Sequence, residues 1–203
     1  MKKCVIIGAG DFACPKSIRE GDLIIAADGG YDHAVNAKIS AHLFIGDMDS
    51  LTTTLPENLE KKTFPERKDY TDMQLSYMEG KERGYTNFEI YGGTGGRSDH
   101  TFANIALLLK MADDGCSCKM ISEKEIYTVI KNGSLTVNGE AGNYISVFAI
   151  GGVAKGVSIK GLDYEVEDAT LTPDFPLGVS NKFIGKESKI SVSNGSLLVI
   201  YQL

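Results

Sequence analysis

The sequence predicts two domains: a mostly parallel α/β sheet with helices on both faces over residues 1–122, then an antiparallel β-sandwich over residues 123–203. The first prediction rests on short β-branched runs that alternate with segments of helical periodicity. The second rests on the loss of that periodicity after about Ser122, where short strands separated by Asn-Gly pairs follow. A chain of 203 residues is long enough to form both cores.

The elements of the first domain follow from local patterns. Its predicted strands are 4–7, 23–26, 43–45, 88–91 and 118–121. Thr71 and Gln74 form a possible capping box, which predicts a helix over 71–83. A second helix has Ser98 or Asp99 as its cap, because apolar residues recur after it at helical spacing.

The second domain carries three Asn-Gly pairs, each flanked by β-rich runs. They are Asn132-Gly133, Asn138-Gly139 and Asn194-Gly195. Because Asn-Gly is the strongest short hairpin signal, we expect β-hairpins at these places. The tail is therefore predicted to be a sandwich or a small barrel.

The charge balance narrows the class of partner. Lys and Arg total 21 against 27 for Asp and Glu, a formal net charge of −6. This disfavours nucleic acid or an anionic membrane as the main partner, while a small anion with metal ions remains compatible. The opening apolar run is short and broken by glycines, and no window approaches the roughly 18 apolar residues of a membrane span. We therefore expect a soluble, cytoplasmic protein.

Acidic side chains recur just after predicted strands or at predicted helix starts. They are Asp28, Asp47 with Asp49, Asp69 with Asp72, and Asp99. Because the carboxyl ends of strands in an open α/β sheet face one crevice, these residues form a single candidate site. Clustered carboxylates require a cation, and Mg²⁺ takes oxygen ligands from carboxylates and substrate phosphates. Asp47 and Asp49 would point the same way on an extended segment. The alternative is that each aspartate only caps a turn or helix.

A glycine-rich segment, 92–97, lies between a predicted strand and a predicted helix. Backbone N–H groups and the helix dipole favour an anion there, and Arg97 adds a fork suited to phosphate. Lys68 is a second candidate phosphate contact. The alternatives are a flexible surface turn and a solvated lysine.

Other nucleotide-binding and hydrolytic patterns are not supported. No complete P-loop is present, and SNKFIGKE, the nearest string, departs from it at two positions. Gly8, Gly10 and Ala13 mimic a dinucleotide fingerprint, but too little chain follows for the usual crossover helix. The cysteines match neither a zinc site nor a redox pair, and no histidine accompanies a nucleophile elbow.

Five stretches of the sequence resemble one known family. They are ADGG at 27–30, GDMDS at 46–50, KDYTD at 68–72, GGTGGRSDHTFAN at 92–104 and VSNKF at 179–183. Together, and in this order, they are similar to thiamine pyrophosphokinase, which passes the pyrophosphoryl group of ATP to thiamine and leaves AMP. The resemblance implies the two-domain fold predicted above. It also implies a homodimer, with thiamine bound between the α/β domain of one subunit and the β domain of the other.

The resemblance implies roles for the matching residues, to which the residue patterns add further candidates. The metal ligands for Mg²⁺ would be Asp28, Asp47, Asp49 and Asp72. ATP would contact Asp28, Ser50, Lys68, Asp69, Gly95, Gly96 and Arg97. Catalytic positions would be Asp47, Asp49, Asp72 and Asp99, and thiamine would contact Asp99, Ser180 and Asn181. Some relatives stack a tryptophan on the substrate; this chain has no Trp, so Phe183 or a tyrosine would replace it.

The expected reaction is catalysed mainly by positioning and electrostatics. Asp72 is the preferred group to accept or orient the hydroxyl proton, although the sequence does not decide between the aspartates. Two other functions remain open: a sensor that binds nucleotide and metal without catalysis, and a Mg²⁺-dependent phosphohydrolase in which water replaces thiamine.

Overall fold

A computed structural model describes residues 2–49, 51–64 and 69–203. The chain forms two compact units, described separately below. The first comprises the chain up to Leu107 together with Gly115–Glu123, and the second comprises Leu108–Asp114 together with Lys124–Leu203. The domain boundary between residues 122 and 123 stays a prediction.

The first unit contains a six-stranded parallel sheet. Its strands are β1 (Cys4–Ile7), β2 (Leu23–Ala27), β3 (Leu43–Gly46), β4 (Glu60–Thr63), β5 (Asn87–Tyr91) and β6 (Ser117–Ile121). They lie in the order β6-β5-β1-β2-β3-β4. The sequence did not predict β4, because its residues EKKT are charged and largely exposed, as suits a strand that follows β3 without an apolar face.

Three helices accompany this sheet: α1 (Gly30–Asn36), α2 (Asp72–Glu82) and α3 (Ser98–Asp113). The predicted capping box begins α2, since Thr71 and Gln74 exchange side-chain and backbone hydrogen bonds of 3.0 and 3.2 Å. The sequence did not predict α1, which is only seven residues long and begins with glycine. Among the described residues, none of the helices has the length and apolar character needed to cross a membrane.

Helices cover both faces of the parallel sheet. On one face, Ala34 of α1 packs with Val5 and Ile7 of β1. On the other, Gly80 of α2 lies so close to Cys4 and Phe88 that a Cβ atom would come within 2.8 Å of each. Side chains alternate along a strand, so Val5 and Cys4 point to opposite faces. The predicted α/β class is confirmed.

The second unit contains two four-stranded antiparallel sheets. Its strands are β7 (Glu125–Lys131), β8 (Ser134–Val137), β9 (Tyr144–Ala149), β10 (Ala154–Lys160), β11 (Val166–Leu171), β12 (Gly178–Lys182), β13 (Ser188–Ser191) and β14 (Ser196–Gln202). One sheet has the order β12-β9-β14-β7 and the other β11-β10-β13-β8. Val147 and Val199 of the first sheet share a buried cluster with Val157 and Ile190 of the second. The predicted β-sandwich is confirmed.

The prediction that the Asn-Gly pairs form hairpins is wrong. Each pair lies between strands of different sheets: β7 and β8, β8 and β9, and β13 and β14. At these three places the two consecutive strands belong to opposite layers of the sandwich, so the turns carry the chain across the core. Two of the turns also contact each other, because Gly195 donates its N–H to the Asn132 Oδ1 at 2.9 Å and Asn132 donates its own to the Gly195 carbonyl at 3.1 Å.

Candidate active site

The carboxyl ends of β1, β2 and β5 and the first turns of α2 and α3 surround a cleft. It consists of two adjoining cavities of about 320 Å³ each. Both are lined by Ala9, Asp28, Met73, His100 and Asn104, which makes them two lobes of one space. We call this space the strand-end cleft. Its first lobe is the cavity lined by Asp69 and Asp72, and its second lobe is the cavity lined by Gly95 and Gly96. Its place at the carboxyl ends of parallel strands is where open α/β sheets bind their ligands.

Backbone atoms form one wall of the strand-end cleft. The pairing of β1 with β5 continues beyond both strands, since Gly8 donates to the Tyr91 carbonyl at 2.8 Å and Gly10 donates to the Gly92 carbonyl at 2.9 Å. A Cβ atom on Gly10 would collide with the carbonyl oxygen of Thr94. Glycine is therefore required at this crossing by close backbone approach, rather than by a dinucleotide.

The glycine-rich segment between β5 and α3 lines the second lobe of the cleft. Gly95 and Gly96 have φ values of +80° and +60°, a conformation that favours glycine. The segment leads directly into α3, where the positive end of the helix dipole favours negative charge. This arrangement suits an anion, as the sequence predicted.

Asn104 holds this segment in place. Its side chain is 7% exposed, and its Nδ2 donates to the Gly93 carbonyl at 2.8 Å. Asn104 and His100 lie four residues apart on α3 and both line the cleft, as does Met73 of α2. Sequence reasoning gave Met73 and Asn104 no site role, whereas His100 was expected near the site as the neighbour of Asp99, and it does line the cleft. The i, i+4 spacing of two polar residues in a largely apolar helix was the signal available for His100 and Asn104.

Asp28 lines both lobes of the cleft. It follows β2 with a φ of +50°, and its N–H donates to the Ile45 carbonyl of β3 at 2.8 Å. A left-handed conformation is uncommon outside glycine, although aspartate tolerates it better than most residues. Strand pairing thus fixes the backbone that carries this carboxylate.

Asp69 and Asp72 line the first lobe together with Tyr70 and Thr71. Asp72 is the first residue of α2, and its carbonyl accepts a hydrogen bond from Ser76 Oγ at 2.7 Å. The cleft therefore brings together three of the predicted acidic residues: Asp28, Asp69 and Asp72.

Asp47 and Asp49 follow β3 but are not among the residues that line either lobe. The expectation that they point the same way on an extended segment is wrong. Met48 between them has a φ of +71°, and Asp47 Oδ1 accepts the Asp49 N–H at 3.1 Å. The segment is therefore a tight Asx-type turn at the end of β3.

Arg97 and Asp99 form an exposed ion pair at the start of α3. Arg97 donates from Nη2 to Asp99 Oδ2 at 2.6 Å and from Nε to Asp99 Oδ1 at 3.2 Å. The hydrogen bond from Arg97 holds the pKa of Asp99 below its usual value. Arg97 lines the second lobe, whereas Asp99 does not line either lobe. An anion in that lobe would compete with Asp99 for the guanidinium group.

The donors fit a hard divalent cation that is shared with a ligand. Over residues 2–49, 51–64 and 69–203, no three His, Cys, Asp or Glu side chains are arranged to hold a metal ion by themselves. Mg²⁺ needs only one or two protein carboxylates when phosphates and water complete its octahedron. Asp28 and Asp72, which line the same lobe, provide such a pair. Ser50 and Lys68, also predicted to contact ATP, lie outside the described residues.

The predicted thiamine contacts lie on β12 of the second unit. Ser180 is exposed with a φ of +60°, and its N–H donates to Ser146 Oγ at 3.1 Å. Asn181 is buried: its Oδ1 accepts the N–H groups of Tyr164 and Lys182 at 2.9 Å, and its Nδ2 donates to the Tyr164 carbonyl at 2.7 Å. The amide of Asn181 thus holds the backbone around Tyr164.

Phe183 cannot be the residue that stacks on a substrate. Its ring is 1% exposed and packs in the core against Tyr201, with the ring centroids 6.4 Å apart. The prediction of Phe183 in that role is therefore wrong. Tyr164, by contrast, is 71% exposed.

Comparison with known proteins agrees with the fold and the motifs. Residues 14–120 match the family model "Thiamin pyrophosphokinase, catalytic domain", and residues 134–199 match "Thiamin pyrophosphokinase, vitamin B1 binding domain". The chain is 27% identical to the thiamine pyrophosphokinase of Bacillus subtilis (strain 168) over 187 residues, covering 89% of this chain and 87% of that protein.

Solved structures give the same result. The crystal structure of thiamine pyrophosphokinase from Bacillus subtilis matches with a TM-score of 0.86 at 25% identity, covering 99% of both chains. That of thiamin pyrophosphokinase from Geobacillus thermodenitrificans matches with a TM-score of 0.82 at 25% identity, covering 99% of this chain and 97% of that one. The family predicted from five short motifs is confirmed: the chain belongs to the thiamin pyrophosphokinase family.

Proposed function

We propose that the chain transfers the pyrophosphoryl group of ATP to the hydroxyl of thiamine, and that the strand-end cleft is where this transfer occurs. The hydroxyl oxygen attacks the β-phosphorus, and the bond from that phosphorus to the oxygen bridging the α-phosphate breaks. AMP leaves with the bridging oxygen, and the hydroxyl proton passes to a carboxylate. The observation that carries the proposal is that one cleft is lined by a glycine-rich anion segment, Arg97 and three aspartates.

The phosphates of ATP are assigned to the second lobe. Gly95 and Gly96 line that lobe in left-handed conformations, and the positive end of the α3 dipole adjoins it and favours an anion. The guanidinium group of Arg97 suits bidentate binding of a phosphate, and the exposed carboxylate of Asp99 holds it by two hydrogen bonds. Exchange of that carboxylate for a phosphate costs little, because the ion pair is solvated.

The carboxylates are assigned to Mg²⁺ and to the proton. Asp28 and Asp72 would hold the ion, with Asp47 and Asp49 reaching it from the neighbouring turn. The ion would neutralise charge on the phosphates. Asp72 is proposed to accept or orient the hydroxyl proton, because it lines the cleft, whereas Asp99 is engaged by Arg97. Asp99 then acts by directing Arg97 and contacting the substrates from the start of α3.

The thiamine contacts are assigned to the surface around β12. Ser180 is exposed, and Asn181 orders the segment that carries the exposed ring of Tyr164. An exposed aromatic face suits the cationic thiazolium ring of thiamine. We propose that Tyr164 takes the stacking role for which Phe183 was considered.

We also propose a homodimer and a cytoplasmic location. Exposed apolar side chains around β12, namely Phe175, Leu177, Val179 and Ile184, support an interface between copies. All four cysteines are free thiols, which is typical of a reducing compartment where ATP is also present. Sedimentation at micromolar concentration tests the dimer: a monomer throughout the range would contradict it.

The transferase activity is tested by incubating the protein with ATP, Mg²⁺ and thiamine. We expect AMP and thiamine diphosphate in equal amounts, and no AMP when thiamine is omitted. Release of orthophosphate or pyrophosphate without thiamine would instead identify the phosphohydrolase. Tight binding of ATP with no turnover would identify the sensor.

A further inference from the structure

The turn that carries Asp47 and Asp49 is held by a carboxylate on a different element. Beyond the turn, Thr52 and Thr53 donate their backbone N–H groups to Asp32, each at 2.9 Å. The hydroxyl of Thr52 adds a third hydrogen bond of 2.8 Å. Both oxygens of Asp32 are therefore used to hold this single segment.

Asp32 lies in the first turn of α1, four residues after Asp28. That helix begins directly after the turn in which Asp28 is fixed by pairing with β3. Leu51 adds an apolar anchor beside the hydrogen bonds, since it packs against the cluster of Ala26, Tyr31 and Phe44. The segment after Asp49 is thus tied to the same helix that leads out of Asp28.

The carboxylate of Asp32 stays ionised near neutral pH and therefore remains a hydrogen-bond acceptor. Its hydrogen bonds, that from the Thr53 hydroxyl first among them, lower its pKa to about 2. An ionised carboxylate accepts hydrogen bonds about twice as strong as those between neutral groups. These hydrogen bonds are therefore present wherever the enzyme would be assayed.

We propose that Asp32 is a positioning residue, which sets the Asp47–Asp49 turn at the distance from Asp28 that Mg²⁺·ATP requires. The expected effect on catalysis rests on the proposed function, whereas the contact of Asp32 with Thr52 and Thr53 does not. Asp32 touches neither substrate nor metal: it acts through Thr52 and Thr53. Its loss should impair the use of Mg²⁺·ATP more than the use of thiamine.

The test compares Asp32→Asn with a matched control, Asp22→Asn. Asp22 is a buried aspartate that also accepts two backbone N–H groups, from Lys3 at 3.0 Å and Arg19 at 2.9 Å, but it precedes β2 at the opposite end of the strand. Both variants replace one carboxylate oxygen by an amide that cannot accept a hydrogen bond. Only Asp32 contacts the segment that follows the Asp47–Asp49 turn.

Two measurements are made on each variant: amide hydrogen exchange of residues 51–54, and steady-state kinetics with each substrate varied. We expect Asp32→Asn to speed exchange at Thr52 and Thr53 and to raise the KM for Mg²⁺·ATP by about tenfold, with less than about a twofold change in the KM for thiamine. Thr52→Ser, which keeps the hydroxyl, should behave as the unaltered protein, whereas Thr52→Val should raise the same KM by a smaller factor.

Unchanged exchange at Thr52 and Thr53 in Asp32→Asn would overturn the contact. Faster exchange with equal loss for both substrates, or the same kinetic change in Asp22→Asn, would overturn the positioning role. If the unaltered protein makes no thiamine diphosphate, the proposed function fails, and the exchange experiment still decides the contact.

Discussion

The two units of the molecule position their polar groups in different ways. In the first unit, the candidate site consists of turns at strand ends, where Asp28, Met48 and Gly95 adopt left-handed backbone conformations. In the second, a continuous apolar cluster lies between two sheets, and the buried amide of Asn181 orders a surface segment. In the first unit, polar groups are therefore positioned by close contacts between backbone segments. In the second unit, they are positioned by side chains that pack in the core or hydrogen-bond to the backbone.

This difference underlies the proposed assignment of ATP to the first unit and of thiamine to the second. Phosphates are bound well by backbone N–H groups and fixed charges, which turns at strand and helix ends provide. A flat heterocyclic cation is bound by exposed aromatic and polar side chains, which a β-sandwich surface carries. Variants in the two units should accordingly affect different substrates.

The largest expected effect is on turnover, at Asp49. Asp49→Asn should lower kcat by about 100-fold or more, because a neutral amide binds Mg²⁺ poorly and the lost stabilisation is electrostatic. Asp168→Asn is the matched control in the second unit, since Asp168 is also exposed and its φ of +49° suits asparagine. Rates of thiamine diphosphate formation check both. A normal rate for Asp49→Asn would remove Asp49 from the metal site.

The next effect is on folding, at Gly10. Gly10→Ala should lower the free energy of unfolding by about 3 kcal/mol, because its Cβ would collide with the Thr94 carbonyl and force the two loops apart. Gly133→Ala in the second unit should change it by less than about 0.5 kcal/mol, since that Cβ meets only one atom, at 3.4 Å. Urea unfolding of both variants gives the comparison. Equal stabilities would contradict the tight backbone crossing.

A smaller effect is expected on the two KM values, where a variant in each unit should affect a different substrate. Asn181→Ala removes three hydrogen bonds near Tyr164 and should cost about 1–3 kcal/mol of stability while raising the KM for thiamine. Asn104→Ala frees the Gly93 carbonyl and should raise the KM for ATP instead. Ser180→Ala combined with Asn181→Ala should weaken thiamine binding more than ATP binding. Equal loss of both substrates would remove these residues from the thiamine site.

The smallest effect concerns thiol reactivity in the first unit. Burial raises the pKa of Cys4 to about 12, so it stays a protonated thiol at pH 8, whereas Cys14 is exposed. Cys116 and Cys118 are buried as well. A maleimide reagent should therefore label one site rapidly in the folded protein, and Gly10→Ala should make more thiols accessible. Rapid labelling of Cys4 in the unaltered protein would contradict its packing under α2.

Sequence patterns predicted the strands of the parallel sheet because their buried apolar runs are local signals. They did not predict β4, whose charged residues are placed by pairing with β3. They predicted Asp28 and Asp72 at one crevice, and both line the first lobe, because strand ends and the helix starts beside them meet at one edge of an open α/β sheet. The geometry around Met48 escaped prediction, because a left-handed turn at a methionine has no local sequence signature.

Longer-range contacts account for what sequence reasoning missed. Asn-Gly was interpreted as a hairpin signal, but whether the next strand joins the same sheet or the facing one depends on the packing of the whole sandwich. The contacts of Asp32 with Thr52 and of Asn104 with Gly93 join separate elements, so neither spacing nor periodicity reveals them. Phe183 was misassigned for the same reason, since its burial depends on the far side of the core.

The central claim is that ATP and Mg²⁺ bind in the strand-end cleft of the first unit. A crystal structure with Mg²⁺ and an ATP analogue whose α–β bridge is a methylene group tests it most directly. The account predicts phosphates against Gly95, Gly96 and Arg97, with the ion bound to Asp28 and at least one of Asp72, Asp47 and Asp49. Triphosphate bound away from Asp28, or a metal ion held without any of these carboxylates, would contradict it.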